Sequence, residues 1–283
     1  MKHICVGYEQ RVGAVRAPAS LDPERDPSPV IQELIARTKF IGSKITFDGK
    51  AILDYGCGTG VALQWIRSRY HPGKMVGLDI SKGAIESAKS HYPGIDFRVL
   101  DMEKLPDNLQ NTFDVSLCFE VLEHLLTPGQ VLSHIAIHYM KSDGILIATT
   151  PNRKVFSGGM KPSPINKTHI REMNLDEFSG LLKTHFKNVH IYGMRFKDPA
   201  RTKAHGKMVE HACDGYKLFG ELWWNKWVRR FYRWILRGEI LLYFNAKKYL
   251  RWKALDFEFV DKPLEVDTAV WFLAIVSNRI DRI

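Results

Sequence analysis

Cysteine is scarce in this chain: Cys5, Cys57, Cys118 and Cys213 are scattered through 283 residues and form no C-x-x-C pair. A disulfide framework is therefore not expected, and reduced thiols in a cytoplasmic protein are. Long hydrophobic runs are missing as well. No stretch of 18 apolar residues occurs and no basic-then-apolar leader opens the chain, so neither a membrane span nor secretion is expected. Acidic residues are outnumbered, 31 against 41 Lys and Arg, for a formal net charge of +10. Such an excess suits an anionic partner, whether nucleic acid, anionic lipid or a phosphate-bearing substrate. The length allows one large α/β core with an accessory element rather than two full domains.

What is there is organised around Ile52-Leu53-Asp54-Tyr55-Gly56-Cys57-Gly58-Thr59-Gly60. A short apolar run, glycines at alternate positions and then Val61-Ala62-Leu63-Gln64-Trp65-Ile66 describe a buried strand, a tight turn and a helix start. Glycines let the backbone approach a small molecule where a side chain would collide. The spacing is not the G-x-G-x-x-G of a dinucleotide site. Asp54 stands just before the turn, where a carboxylate is a poor neighbour for a diphosphate and a good one for a cation. Two more apolar strands ending in acids follow, Met75-Val76-Gly77-Leu78-Asp79-Ile80 and Phe97-Arg98-Val99-Leu100-Asp101-Met102.

These three segments, in this order and with Asp79 placed 25 residues after Asp54, resemble the motifs of class I S-adenosylmethionine-dependent methyltransferases. The resemblance implies an α/β fold, a Rossmann-like doubly wound seven-stranded sheet whose last strand is antiparallel between the fifth and sixth. It implies S-adenosylmethionine as cofactor, cradled by Asp54, Gly56, Gly58 and Gly60. Asp79, beside Ile80, would accept the ribose hydroxyls, Asp101 and Met102 would hold the adenine, and Phe119 would line the pocket.

The rest of the chain alternates strand and helix. Residues 1–29 end in a proline-rich arm, expected to be extended. Helices are expected at Val30 to Phe40, Gly60 to Tyr70, Ser81 to His91 and Gln130 to Met140, and Asn174 with Glu177 gives a capping signal for another. Strands four to six are read at Phe113 to Phe119, Gly144 to Thr150 and Asn188 to Arg195, with the last at Thr268 to Ser277. Roughly seventy residues part the last two strands, where a hairpin loop takes about two to five. The domain reading is thus an arm at 1–29, a core at 30–196 plus 263–283, and a helical insertion at 197–262.

Phe119-Glu120-Val121-Leu122-Glu123-His124 follows strand four, at the carboxyl end where this fold delivers functional groups. If helical, Glu120, Glu123 and His124 share a face, which is costly without a cation. E-x-x-E-H, then Thr150-Pro151-Asn152, then His169 before the next helix, resembles two O-methyltransferase families. One acts on catechol-like rings in ubiquinone synthesis. The other acts on the terminal ribose 2'-hydroxyl of small RNAs and binds a divalent metal through two Glu and two His. A closer likeness, over about residues 30–195, is to bacterial methyltransferases of polysaccharide and glycan pathways, which share E-x-x-E-H-L, Thr150-Pro151-Asn152-Arg153 and the His-x-x-Glu of His169 and Glu172.

Carried over, Glu120, Glu123, His124 and His169 would be metal ligands, with Mg, Mn, Fe and Zn all compatible. His124, His169 and Glu120 would be the catalytic groups. Two other readings stay open: a histidine acting alone as general base, or glutamates that merely favour a helix N-terminus. Leu125 and Leu126 stand where the small-RNA enzymes carry additional histidines.

Between Lys217 and Lys253 ten Lys or Arg face only Glu221 and Glu239, a local net charge of +8. Trp223, Trp224, Trp227, Val228, Phe231, Trp234 and Ile235 recur at helical spacing opposite Lys226, Arg229, Arg230, Arg233 and Arg237, so an amphipathic basic helix is expected. It would pack on the core or a second subunit, lie on an anionic membrane surface, or stack nucleic-acid bases. The expected activity is methylation of a hydroxyl on a small-molecule or lipid-linked glycan acceptor, in the cytoplasm or at the inner face of a membrane. The alternatives are a quinone-type ring, an RNA ribose, or a methyltransferase-like binding protein without turnover.

Overall fold

The computed structural model describes residues 28–101, 112–161, 163, 165–235 and 256–279. The proline-rich arm, Cys5, Met102 and the second half of the basic stretch lie outside the described residues. In chain order the strands are β1 (Ile52–Tyr55), β2 (Met75–Asp79), β3 (Asp96–Val99), β4 (Phe113–Phe119), β5 (Met140–Pro151), β6 (Phe186–Phe196), β7 (Phe257–Val260) and β8 (Trp271–Arg279). They form one sheet of order β3-β2-β1-β4-β5-β8-β6-β7. The first five are parallel, and β8 runs antiparallel between β5 and β6.

The sheet has eight strands rather than the seven expected. The extra one, β7, comes from the segment read as a helical insertion and pairs antiparallel with the outer edge of β6. Its alternation explains it: Phe257 is buried, Phe259 stacks on Phe40 at 4.0 Å between ring centroids, and Glu258 on the other face takes Arg195 Nε at 2.7 Å.

The helices are α1 (Pro29–Gly42), α2 (Val61–Arg69), α3 (Lys82–His91), α4 (Pro128–His134), α5 (Arg153–Phe156), α6 (Leu175–Lys183), α7 (Pro199–Phe219), α8 (Lys226–Ile235) and α9 (Pro263–Asp267). Local chemistry sets several of their starts. Ser81 Oγ accepts from Ala84 N ahead of α3, and Asn174 with Glu177 forms a complete capping box on α6. The helix expected at Gln130 to Met140 is shorter. It stops at His134 and widens into a π turn over Ile135–Tyr139 that buries Ile135, Ala136 and Tyr139 together, so that Met140 already opens β5.

The aromatic stripe of the insertion is also divided. A 3-10 turn at Gly220–Trp224 separates α7 from α8, and Asn225 Oδ1 caps α8 by accepting from Trp227 N at 2.8 Å. Trp223 is buried while Trp227 is 63% exposed, so the two do not share the single face that the spacing suggested. No helix among the described residues is long and apolar enough to cross a membrane.

The edge strand β3 buries only Phe97, whereas the inner strands β1, β2 and β4 are buried from both faces of the sheet. Their carboxyl ends meet at the glycine turn between β1 and α2. Gly60 there has φ of 80°, and a Cβ on it would lie 2.5 Å from Phe97 Cζ. Gly58 has φ of 53° but open space around it. Gly58→Ala should therefore cost only the left-handed backbone, about 1–2 kcal/mol, whereas Gly60→Ala should add overpacking of about 1–3 kcal/mol. Urea unfolding of the two variants checks this order.

Candidate functional site

The glycine turn is wired to β2. Gly56, Gly58 and Gly60 all have positive φ, and Gly56 N and Cys57 N both donate to the Leu78 carbonyl, at 2.8 and 2.9 Å. Gly58 N donates to Asp79 Oδ2 at 2.8 Å, and Ser81 N donates to Asp79 Oδ1 at 2.8 Å. Asp79 thus locks the turn, and each of its oxygens retains a further lone pair for a hydroxyl. Its carboxyl is raised by burial, partly offset by these main-chain N–H groups. Asp54, 2% exposed, is lifted to about 7 by burial and by the charge of Asp79. Ile80 is half-buried after β2, Asp101 half-buried beyond β3, and Phe119 buried at the end of β4. The residues assigned to a cofactor thus lie at or just beyond the carboxyl ends of the neighbouring strands β1 to β4, apart from Met102, which is outside the described residues.

Beyond β4 the chain does not turn as a helix at once. Glu120 has φ of 55°, left-handed among the described residues as no other non-glycine is, a conformation costing on the order of 1–2 kcal/mol. The 3-10 turn Leu122–His124 follows. As a consequence Glu120, Glu123 and His124 do not share one face. Glu120 accepts from Thr149 Oγ1 at 2.9 Å and lies 3.5 Å from Arg37 Nη2. Glu123 goes inward, fully buried, with Thr150 Oγ1 donating to its Oε2 at 3.2 Å and its Oε1 without a hydrogen-bond partner. Burial first, and then the charge of Glu120, push its carboxyl well above the usual range.

The segment 166–172 closes over this turn. Ile170 N and Arg171 N both donate to the Glu123 carbonyl, at 2.9 and 3.0 Å. His124 Nδ1 bonds the Thr168 carbonyl at 2.9 Å, and His169 Nδ1 bonds Glu172 Oε1 at 2.7 Å. A carbonyl and a carboxylate can only accept here, so each Nδ1 carries the proton and Nε2 is the basic atom of each ring. The rings meet edge to face with centroids 4.8 Å apart. Burial, and then His169, bring the His124 pKa down to about 4, so this imidazole is neutral at pH 7. Ligand atoms of Glu123, His124 and His169 lie within 4.8 Å of one another. Three of the four expected metal ligands are thus brought together, and Glu120 is not among them.

The Thr150-Pro151-Asn152-Arg153 segment holds this arrangement. Beyond the Thr150 bond to Glu123, Asn152 Nδ2 donates to the carbonyls of Asp267 and Ala269, tying β5 to the start of β8, and Arg153 Nη1 donates to the Glu172 carbonyl.

Sequence reasoning missed several neighbours. Arg37, on the covered face of α1, is 3% exposed; its guanidinium stands over the Trp271 ring at 5.6 Å, and its Nε and Nη2 lack hydrogen-bond partners. A basic residue among the apolar positions of α1, close to Ile35 and Ile41, is the signal that could have found it. Phe156 stacks on His169 at 5.6 Å, and beyond it His205 of α7 packs against Phe156, Phe196 and Trp271. The insertion therefore supplies part of an aromatic wall beside the histidines.

The sequence profile of the methyltransferase-domain family matches residues 46–234, which take in the glycine turn, both histidines and α7. The chain belongs to that family. As a methyltransferase domain it is 32% identical over 136 residues to a "probable S-adenosylmethionine-dependent methyltransferase" of Mycolicibacterium smegmatis, covering 48% of this chain and 51% of that one. It is 34% identical over 121 residues to a ubiquinone biosynthesis O-methyltransferase of Coxiella burnetii, covering 41% and 50%. The chain spans about half the length of these curated relatives. Its fold is that of an S-adenosylmethionine-dependent methyltransferase of Thermotoga maritima, with a TM-score of 0.54 at 13% identity over 88% of this chain and 91% of that one.

The raised Asp54 gives this methyltransferase domain a pH dependence. Its folded pKa of about 7 exceeds that of an unfolded aspartate, so the native state holds the extra proton and stability falls as pH rises from about 4 to 7. The penalty is on the order of 4 kcal/mol once the group is ionised. The melting temperature of the cofactor-free protein should fall across that window, and Asp54→Asn should make the fall shallower.

Proposed function

We propose that this protein is an S-adenosylmethionine-dependent O-methyltransferase acting on a hydroxyl of a sugar, glycan or related small-molecule intermediate, with a divalent cation at Glu123, His124 and His169. The observation that carries the reading is the buried Glu123 Oε1, which lacks a hydrogen-bond partner beside two imidazoles whose protons are committed elsewhere. One carboxylate and two imidazoles are a common donor set for a first-row divalent metal. Bound there, such an ion would act as a Lewis acid that lowers the pKa of an alcohol touching it.

The chain's own residues account for the rest. The glycine turn admits the methionine part of the cofactor, and Asp54 and Asp79 favour its positive charge. Asp79 and Asp101 are placed for the adenosine. Arg37 Nη2 is already ion-paired with Glu33 and Glu120, at 3.7 and 3.5 Å, and its buried Nε, without a hydrogen-bond partner, is the group left to meet a carboxylate such as that of the cofactor's amino-acid end. Thr168 and Glu172 orient the two imidazoles, and the closed loop over them keeps water from the hydroxyl. The methyl group then moves from sulfur to oxygen in line, and the hydroxyl proton leaves to solvent, because the Nδ1 atoms of both imidazoles already carry protons bonded to Thr168 and Glu172 and their Nε2 atoms are the ones left for the cation.

A flat ring is the second reading. The stacking of Phe156 on His169, with Trp271 behind it, favours an aromatic acceptor, and one relative is named for ubiquinone biosynthesis.

Protein purified without chelator should carry close to one divalent metal per chain by elemental analysis. His169→Ala and Glu123→Gln should lose it while still binding S-adenosylhomocysteine within about threefold, since neither residue touches the glycine turn. Full activity on a vicinal diol after exhaustive chelation would reject the cation.

A further inference from the structure

We infer that the start of the basic insertion is a docking surface for an anionic lipid membrane. Leu218, Leu222 and Trp227 are 68%, 66% and 63% exposed, three of the nine large apolar side chains exposed among the described residues gathered within ten positions. Large exposed apolar groups that cluster in this way mark an interaction site. Lys217, Lys226, Arg229 and Arg230 surround them, with Glu221 the only acid between Lys217 and Trp234.

The exposure is built in. Trp223 is buried against α7 at Gly215, where an added Cβ would come within 2.2 Å of its ring. Arg229 Nε donates to the Trp223 carbonyl at 2.8 Å, and its guanidinium stands over the Trp223 ring at 5.8 Å. One tryptophan thus pins the turn to α7 and leaves its neighbours Leu222 and Trp227 outward. Trp227 in turn lies under the cations of Lys226 and Arg230, at 5.6 and 5.9 Å. An indole flanked by basic groups, next to bare leucines, suits the boundary between headgroups and acyl chains.

The charge selects the occupant. The described part of the segment, Lys217 to Ile235, has five Lys or Arg against Glu221, a net +4, which complements anionic headgroups. A second copy on a two-fold axis would set these like charges against one another. Single-stranded nucleic acid would use the tryptophan, but it offers nothing to Leu218 and Leu222. From His205 in the aromatic wall to Leu218 is 13 residues of one helix, about 20 Å. Docking would therefore hold the histidine site close to an acceptor at the membrane surface. The inference stands apart from the metal and from the methyl acceptor.

The test is co-sedimentation of the full chain with phosphatidylcholine vesicles, with and without 30% phosphatidylglycerol. Binding should appear with the anionic vesicles, fall with added salt, and be weak on neutral ones. Lys226→Gln and Arg230→Gln should each lower the partition coefficient roughly fivefold, and Leu218→Ser with Leu222→Ser and Trp227→Ser should abolish it at an unchanged melting temperature. Equal binding to both vesicles, or none to either, overturns the inference. So does a dimer in sedimentation equilibrium that the triple variant dissociates, or salt-sensitive binding of a single-stranded RNA with no vesicle binding.

Discussion

Three carboxylates buried at the carboxyl ends of neighbouring strands are the constraint on which the rest depends. Asp54 closes β1, Asp79 closes β2 and Glu123 follows β4; each is at most 2% exposed, and burial raises the carboxyl of all three. No cation is among the groups that act on them. Buried carboxylates in that condition hold protons or attract positive charge. A sulfonium in the crevice of the first two and a metal ion beside the third would answer both needs, so one electrostatic condition connects the cofactor end of the site to the acceptor end.

The surrounding structure keeps that condition in place. Asp79 ties the glycine turn at Gly58 to the start of α3 at Ser81, one oxygen to each, and the left-handed Glu120 aims the next turn so that Glu123, not Glu120, goes inward. The loop 166–172 bonds the Glu123 carbonyl twice and fixes both imidazoles, while Arg153 holds the loop and Asn152 the start of β8. Then α7 packs against the turn after α5: Cys213 Sγ donates to the Ser157 carbonyl at 3.4 Å, and Gly158 has no room for a side chain beside Cys213. The insertion is therefore a structural part of the site as well as the carrier of the basic patch.

Local patterns made the sheet legible. An acid before alternating glycines, apolar strands ending in acids and the capping signal at Asn174 are each set by a few adjacent residues, and the place of the antiparallel last strand followed from the family resemblance that the first two carry. The partners of Glu123 were only half legible. His124 and His169 could be named because their motifs are short, but the left-handed Glu120 breaks the helical geometry on which the one-face argument rested. Arg37, Phe156, Trp271 and His205 could not be read, because their meeting depends on how α1, β8 and α7 pack rather than on spacing. Strand β7 was hidden inside a segment whose charge and tryptophans read as helix.

The central claim is that one continuous crevice runs from the glycine turn to the Glu123, His124 and His169 cluster. A crystal structure with S-adenosylhomocysteine tests it most directly, through the distance from the cofactor sulfur to the ligand atoms of that cluster. The account predicts roughly 5–8 Å, room for one methyl group and one hydroxyl oxygen in line. A sulfur more than about 12 Å away, or one pointing from the glycine turn toward α3, would contradict it.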